Sequence, residues 1–216
     1  MTQTTAPNTA PPAATTAGPR RRTLVGLAGA ILVLYAAMFA AGINLGYDAK
    51  LADITDHYGG TSENVTRISA YAGMVFVGLL LFFGAAIRRP VRGAGRSWLG
   101  DVVLLGFGAL AATLASWVIV DVALWEAVDY GDESAIRALV TISDAGFLPL
   151  MASMIAIYVG AGLAGLLTGS IPKWLAIASL VVGLIAPLGP LGFFGAVLLP
   201  LWVMAVALTV RLDTSA

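Results

Sequence analysis

The sequence predicts an all-α fold: a polytopic integral membrane bundle of six transmembrane helices, with short amphipathic helices on its outer face. Hydrophobic residues make up 59% of the 216 residues and charged residues only 11%, whereas soluble domains carry about a quarter charged residues. The 12 basic and 12 acidic residues cancel, so the chain lacks the basic excess that binding to nucleic-acid phosphates requires. This composition excludes a soluble enzyme domain and argues against a nucleic-acid-binding protein.

The two ends of the chain are predicted to be cytoplasmic tails that flank one membrane domain. Residues 1–22 are rich in Pro, Ala and Thr, a composition typical of disorder. Residues 23–211 form the single transmembrane helical domain, and 212–216 form a short tail. The sequence contains no cysteine, which excludes disulfides, thiolate metal sites and thiol nucleophiles.

The spans are predicted from the length of the apolar segments. A transmembrane helix needs about 20 apolar residues to cross about 30 Å of hydrocarbon. Six segments meet or approach this length: 24–46, 68–87, 102–125, 146–168, 173–188 and 192–210. The fifth is short and ends at Pro187, so five spans with a re-entrant segment are the alternative. Lys173 and Arg211 flank the last two segments on one side, which favours a hairpin of two spans.

The charges predict the orientation. With both termini in the cytoplasm, nine of the 12 Lys and Arg residues lie inside and three outside. Acidic residues have the opposite distribution, so the inside sums to +7 and the outside to −6, with Asp121 left in a span. Positively charged loops stay in the cytoplasm, and we therefore expect a multi-pass protein of the plasma membrane with an acidic outer face.

Two outer loops are predicted to contain short helices. Residues 48–58 place Leu51, Ile54 and Tyr58 on one helical face, which is typical of an interfacial helix. Asp132 is a suitable N-cap for a second helix. The apolar stripe of this second helix consists of Ile136, Leu139, Val140 and Ser143. We expect this helix to run into the fourth span with a bend at Gly146 and Pro149.

Asp121 is the most informative single residue because carboxylates within the membrane are costly and usually serve a pathway or a specific pair. Arg137 and Asp144 are seven residues apart, on one face of the following helix, and could approach it. These three residues are candidates for a proton or cation relay or a polar ligand pocket. The alternative, which we favour, is a structural Asp121–Arg137 pair or a carboxylate that reaches the headgroups.

The loop before the second span contains a weak candidate metal site. Asp53, Asp56 and His57 stand at i, i+3 and i+4, so one helical face could present all three to a divalent ion. The sequence contains one histidine, whereas metal sites usually use several. A solvated interfacial helix is therefore the preferred interpretation, and the identity of any metal is left open.

A basic cluster in the loop after the second span is expected to contact anionic lipid headgroups at the inner face, at about 1 kcal/mol per cation. It consists of Arg88, Arg89, Arg92 and Arg96. The alternative, which we prefer, is that the cluster serves as a determinant of topology. Small residues, such as Gly162 and Gly165, are expected to let helices of the same chain approach closely.

Two short motifs carry a resemblance. Asp56-His57-Tyr58 precedes the second span, and 168–175 reads Thr-Gly-Ser-Ile-Pro-Lys-Trp-Leu. In these motifs the chain resembles a large group of uncharacterised bacterial multi-pass membrane proteins, which form a domain of unknown function. The resemblance covers roughly 24–210 and implies five or six helices in a bacterial plasma membrane. It implies no activity.

The sequence leaves function open between two main hypotheses. The first, which we favour, is a non-enzymatic membrane module with a structural, sensing or accessory role. The second is a small transporter or ion-coupled carrier that uses Asp121. A membrane enzyme or metal-binding protein with a site at the outer face is a weaker third hypothesis. No cofactor is expected; the expected partners are the lipid bilayer and its anionic lipids, and a protein partner or homo-oligomer is left open.

Overall fold

The described chain is entirely helical in its regular structure. The computed structural model describes residues 21–41, 49–60, 63–92, 97–188 and 190–212, and contains no strand among them. The eight helices are α1 (Arg21–Ala41), α2 (Leu51–Gly59), α3 (Glu63–Arg92), α4 (Ser97–Asp129), α5 (Glu133–Ala145), α6 (Phe147–Thr168), α7 (Lys173–Ile185) and α8 (Pro190–Thr209). Most of the predicted N-terminal tail, the end of the first predicted span and Arg96 lie outside the described residues.

Among the described residues, five helical segments are long and apolar enough to cross a membrane. They are Arg21–Met38, Glu63–Val91, Trp98–Asp129, Glu133–Thr168 and Gly192–Thr209. The helices around the second and third predicted spans extend beyond the apolar segments, because the backbone hydrogen bonding of a helix continues through the polar residues at their ends. Large apolar side chains such as Phe82, Leu105 and Ile119 are more than two-thirds exposed, as expected for surfaces that face lipid.

The fifth predicted span is the short helix α7. Its 13 residues rise about 20 Å at about 1.5 Å per residue, less than the roughly 30 Å of a hydrocarbon core. Only five of the six predicted spans therefore reach full length within the described residues. Small residues let α6 approach α7 closely: a Cβ on Gly162 would lie 2.6 Å from Cγ of Leu180, and one on Gly165 would lie 2.7 Å from Cβ of Ala176.

The six long or buried helices form a closed arrangement. Along it α1 packs on α3, α3 on α4, α4 on α6, α6 on α7, α7 on α8, and α8 back on α1. Arg21 donates to the carbonyls of Leu208 and Val210 at 2.8 and 3.0 Å, so the N-terminus of α1 and the C-terminus of α8 lie at one end. We call this the arginine end.

The opposite end, which we call the cap end, carries the two amphipathic helices α2 and α5. Both confirm the helices predicted from periodicity. The carboxylate of Asp132 accepts hydrogen bonds from the amides of Ser134 and Ala135, which is the predicted N-cap. Ile136 and Val140 are buried, and α6 follows α5 after Gly146 alone. The cap end is therefore built from residues whose local roles the sequence predicts.

Candidate functional site

The candidate site lies at the cap end, where α2 rests on α3 and α4. Ile54 and Tyr58, one turn apart, are 2% and 8% exposed. They pack against Val120 and Leu124 of α4 in a small apolar cluster that is separate from the main core. This apolar footing places the C-terminal turn of α2, and its polar side chains, directly beside Asp121.

The carboxylate of Asp121 is bound by a side chain from α2. The phenol of Tyr58 donates a hydrogen bond to Oδ1 of Asp121 at 2.8 Å. Burial and the nearby carboxylate raise the pKa of Tyr58 well above its ordinary value, so the phenol keeps its proton and remains a donor. A hydrogen bond to a charged group contributes about 1.5–3 kcal/mol, and this bond therefore acts as a latch between α2 and α4.

His57 lies next to the latch, and only one of its two ring nitrogens has a hydrogen-bond partner among the described residues. Its Nε2 is 3.4 Å from Oγ1 of Thr66, and its ring stands edge-on to Tyr58 with centroids 4.9 Å apart. Its Nδ1 is buried without a hydrogen-bond partner in the described chain. Burial lowers the pKa of His57, and the charges of Asp121 and Asp56 oppose that shift. The neutral imidazole is thus the form that burial favours at the latch.

Trp125 forms the neighbouring part of the site, one turn along α4 from Asp121. Its Nε1 is the second buried nitrogen at this end that has no partner among the described residues. The guanidinium of Arg67 lies over the Trp125 ring, 5.7 Å from its centroid, and pairs with Glu63 at 2.5 Å. A buried donor without an acceptor costs about 1–3 kcal/mol. The site therefore carries an energetic cost, because some of its buried polar atoms lack hydrogen-bond partners among the described residues.

Arg137 and Asp144 do not join Asp121 in the structure. Both side chains are exposed on α5, and neither forms an ion pair in the described chain. Ile136 and Val140 occupy the buried face of α5, and successive helical residues are turned by about 100°, so Arg137 points away from α4. The apolar cluster joins α4 to α5 through Leu124, Ile136 and Val140. A hydrogen bond from Nε1 of Trp117 to the carbonyl of Ser143 at 3.0 Å adds a polar contact between the two helices.

The candidate metal ligands of α2 are likewise not brought together. Asp53 and Asp56 are exposed, whereas the His57 ring lies against Thr66. Across the described residues, no group of three or more His, Cys, Asp or Glu side chains is placed to hold a metal ion. The geometry gives the metal hypothesis no support.

The predicted lipid-headgroup cluster lies near the arginine end. Nε of Arg88 pairs with Oδ1 of Asp101 at 2.5 Å, which joins α3 to α4. Arg89 and the backbone of Arg92 belong to the last turns of α3, whereas the side chain of Arg92 and all of Arg96 fall outside the described residues. At least one of the four arginines therefore has an intramolecular partner.

The tyrosine that binds Asp121 is the residue that sequence reasoning missed. The signal was present, because Tyr58 lies on the predicted apolar face of α2, and a buried phenol needs an acceptor. Comparison with known proteins adds nothing to this geometry: no family model, no curated protein and no solved structure matches the chain. The site is therefore interpreted from its own chemistry.

Proposed function

We propose that the protein is a non-enzymatic membrane module with a sensing or accessory role, and that its cap end is the responsive part. The observation that carries the proposal is the hydrogen bond from Tyr58 of α2 to Asp121 of α4. A carboxylate within a span is costly unless it has a specific use. Here its partner belongs to a short helix outside the spans, so the carboxylate serves to dock that helix.

Docking of α2 is a suitable event for a sensor because it rests on few contacts. The footing of α2 consists of Ile54, Tyr58 and a few apolar neighbours. Beside it lie one hydrogen bond to an ionisable side chain and two buried nitrogens that have no hydrogen-bond partner among the described residues. Elements with a small apolar footing open at low free-energy cost, so a change in pH, lipid or partner at the cap end would shift α2 between docked and undocked states.

We place this module in a bacterial plasma membrane, with both termini in the cytoplasm and the cap end outside. The arginine end carries Arg21, Arg22, Arg88, Lys173 and Arg211, which the positive-inside rule assigns to the cytoplasm. Because the chain has no cysteine, a single introduced cysteine is labelled without background from native thiols. An impermeant maleimide added to intact cells should label Ala52→Cys and spare Lys173→Cys; the reverse result would contradict the orientation.

The docking role is tested by removing only the phenol oxygen. Spin labels at Ala52→Cys on α2 and Ala138→Cys on α5 give one distance across the cap end, since both positions are exposed. In Tyr58→Phe we expect that distance distribution to broaden in liposomes. The control Tyr130→Phe removes a hydroxyl from a residue that is 86% exposed and should leave the distribution unchanged. An unchanged distribution in Tyr58→Phe would contradict the role.

A second candidate function is an ion-coupled carrier that uses Asp121. The unpartnered nitrogens of His57 and Trp125 favour it, because buried polar atoms without partners are also found at ligand sites. In proteoliposomes a carrier would show proton or cation flux that Asp121→Asn abolishes. The sensing module predicts no such flux, and predicts that Asp121→Asn loosens α2 and lowers thermal stability.

A further inference from the structure

An apolar groove runs along the outside of the bundle between α3 and α4, near the cap end. Its volume is about 470 Å³, within the range of about 300–1,000 Å³ of small-molecule sites. Met74, Ile119, Val122 and Ala123 are among its lining residues. Met74 and Ile119 are more than half exposed, so the groove opens to the surroundings of the bundle and not to its interior.

The surroundings of this groove are the hydrocarbon of one leaflet, because both of its walls belong to segments of spanning length. Its lining on α4 extends from Val118 to Glu126, a helix rise of about 12 Å at about 1.5 Å per residue. Half of a hydrocarbon core is about 15 Å thick. The groove therefore matches the depth over which one acyl chain of the cap-side leaflet lies.

Charges of both signs stand at the cap-end rim of the groove. Glu126 lines the groove and is exposed. The guanidinium of Arg67 lies over the ring of Trp125, another lining residue, and the Arg67 side chain remains 48% exposed. One ion pair, with Glu63, uses only part of the five N–H donors of a guanidinium. The rim thus carries a carboxylate, Glu126, and beside it a cation that contacts the adjacent residue, Trp125.

We propose that this groove binds one phospholipid of the cap-side leaflet whose headgroup carries a phosphate and a primary ammonium. One acyl chain lies on Met74, Ile119 and Val122, the phosphate accepts hydrogen bonds from Arg67, and the ammonium donates to Glu126. A headgroup with net negative charge is disfavoured because Glu126 would repel it. This inference rests on the membrane placement proposed above, but not on the latch between Tyr58 and Asp121.

The test is native mass spectrometry of the full chain released from liposomes that contain equal amounts of phosphatidylethanolamine, phosphatidylcholine and phosphatidylglycerol. We expect one retained lipid, predominantly phosphatidylethanolamine. Ala123→Phe fills the groove and should abolish retention, whereas Ala112→Phe places the same bulk on an exposed position of the same helix outside the groove lining. Arg67→Gln should weaken retention about tenfold, which corresponds to about 1.4 kcal/mol.

Three results would overturn the proposal. The first is equal retention of the three lipids, the second is a preference for phosphatidylglycerol, and the third is retention in Ala123→Phe equal to that in Ala112→Phe. Spin-label distances at the cap end, measured on the same variants, report the latch separately. Equal retention of the three lipids by the wild type, together with the expected broadening in Tyr58→Phe, would contradict this inference alone. An unchanged distance distribution in Tyr58→Phe, together with intact lipid selectivity, would contradict the docking role alone.

Discussion

In the described part of the bundle, two junctions combine a buried tyrosine with a tryptophan. The first lies between α6, α7 and α8. There the phenol of Tyr158 donates to the carbonyl of Gly195 at 2.7 Å. Nε1 of Trp202 donates to Oγ of Ser179 at 2.7 Å, and that hydroxyl donates to the carbonyl of Leu175 at 2.7 Å. The two rings stand in a T-shaped contact with centroids 5.0 Å apart. Each of these donors has an acceptor.

The second junction, at the cap end, uses the same residue types differently. The phenol of Tyr58 donates to an ionisable side chain, Asp121. Nδ1 of His57 and Nε1 of Trp125 have no partner among the described residues. A buried polar network in which every group is hydrogen-bonded makes a core rigid. In a network with unpaired groups, no hydrogen bond offsets the cost of removing those groups from water. We therefore expect the first junction to be a permanent part of the core, and we propose that the second is adjustable.

The largest effect is expected from truncating the two tryptophans. Trp202→Ala removes a 7%-exposed ring from the satisfied junction and should lower the free energy of unfolding by at least about 2 kcal/mol, because a cavity remains and lipid contributes little transfer energy. Trp125→Ala should cost less, because its ring is half-buried and its Nε1 has no partner to lose. Thermal unfolding in detergent measures both variants, and equal losses would contradict the comparison.

The second prediction concerns pH. Burial lowers the pKa of His57 in the docked state, whereas an undocked α2 restores its ordinary value of about 6.5. The undocked state therefore binds more protons at His57, so the contribution of this imidazole to docking weakens as pH falls below about 6.5 and levels off below the docked pKa. Spin-label distances between pH 7.5 and 5 measure this trend. His57→Gln should remove it, and a trend that persists in His57→Gln would assign it to another group.

The smallest effect is expected at the N-cap of α5. Asp132→Ala removes the acceptor for the amides of Ser134 and Ala135 and should speed amide exchange in the first turn of α5 only. The hydrogen bond from the Ser134 hydroxyl, followed by those from the two amides, lowers the pKa of Asp132, so the wild type should lose the same protection, relative to the intrinsic exchange rate, when acidic pH protonates Asp132. Asp129→Ala removes an equal charge and serves as the control; equal acceleration there would exclude a specific cap.

The sequence predicts the local features of this fold well. The interfacial helix α2, the capped helix α5 and the approximate limits of the long helices follow from periodicity, capping residues and apolar length. Those signals act over one or two helical turns. The short helix α7 shows their limit: Pro187 signals the end of the apolar segment 173–188, but the helix itself ends two residues earlier, at Ile185.

The candidate site was predicted only in part because its defining contact is nonlocal. Asp121 is identified by its chemistry alone, as a carboxylate in an apolar segment. Its partner is 63 residues away, and sequence proximity instead suggested Arg137. The buried face of α5 is taken by Ile136 and Val140, which excludes Arg137, whereas Tyr58 combines a buried position with a donor. A search of the sequence for a buried donor that could pair with the carboxylate of Asp121 would have identified Tyr58.

The central claim, that the cap end is adjustable while the junction of α6, α7 and α8 is permanent, is tested most directly by amide hydrogen exchange in liposomes. Tyr58→Phe should raise exchange over Leu51–Gly59 about tenfold, which is about 1.4 kcal/mol and the low end of a bond to a charged group. Tyr158→Phe should leave that segment unchanged, and Tyr58→Phe should leave α7 and α8 unchanged. Exchange over α2 that is the same in Tyr58→Phe as in the wild type would contradict the account.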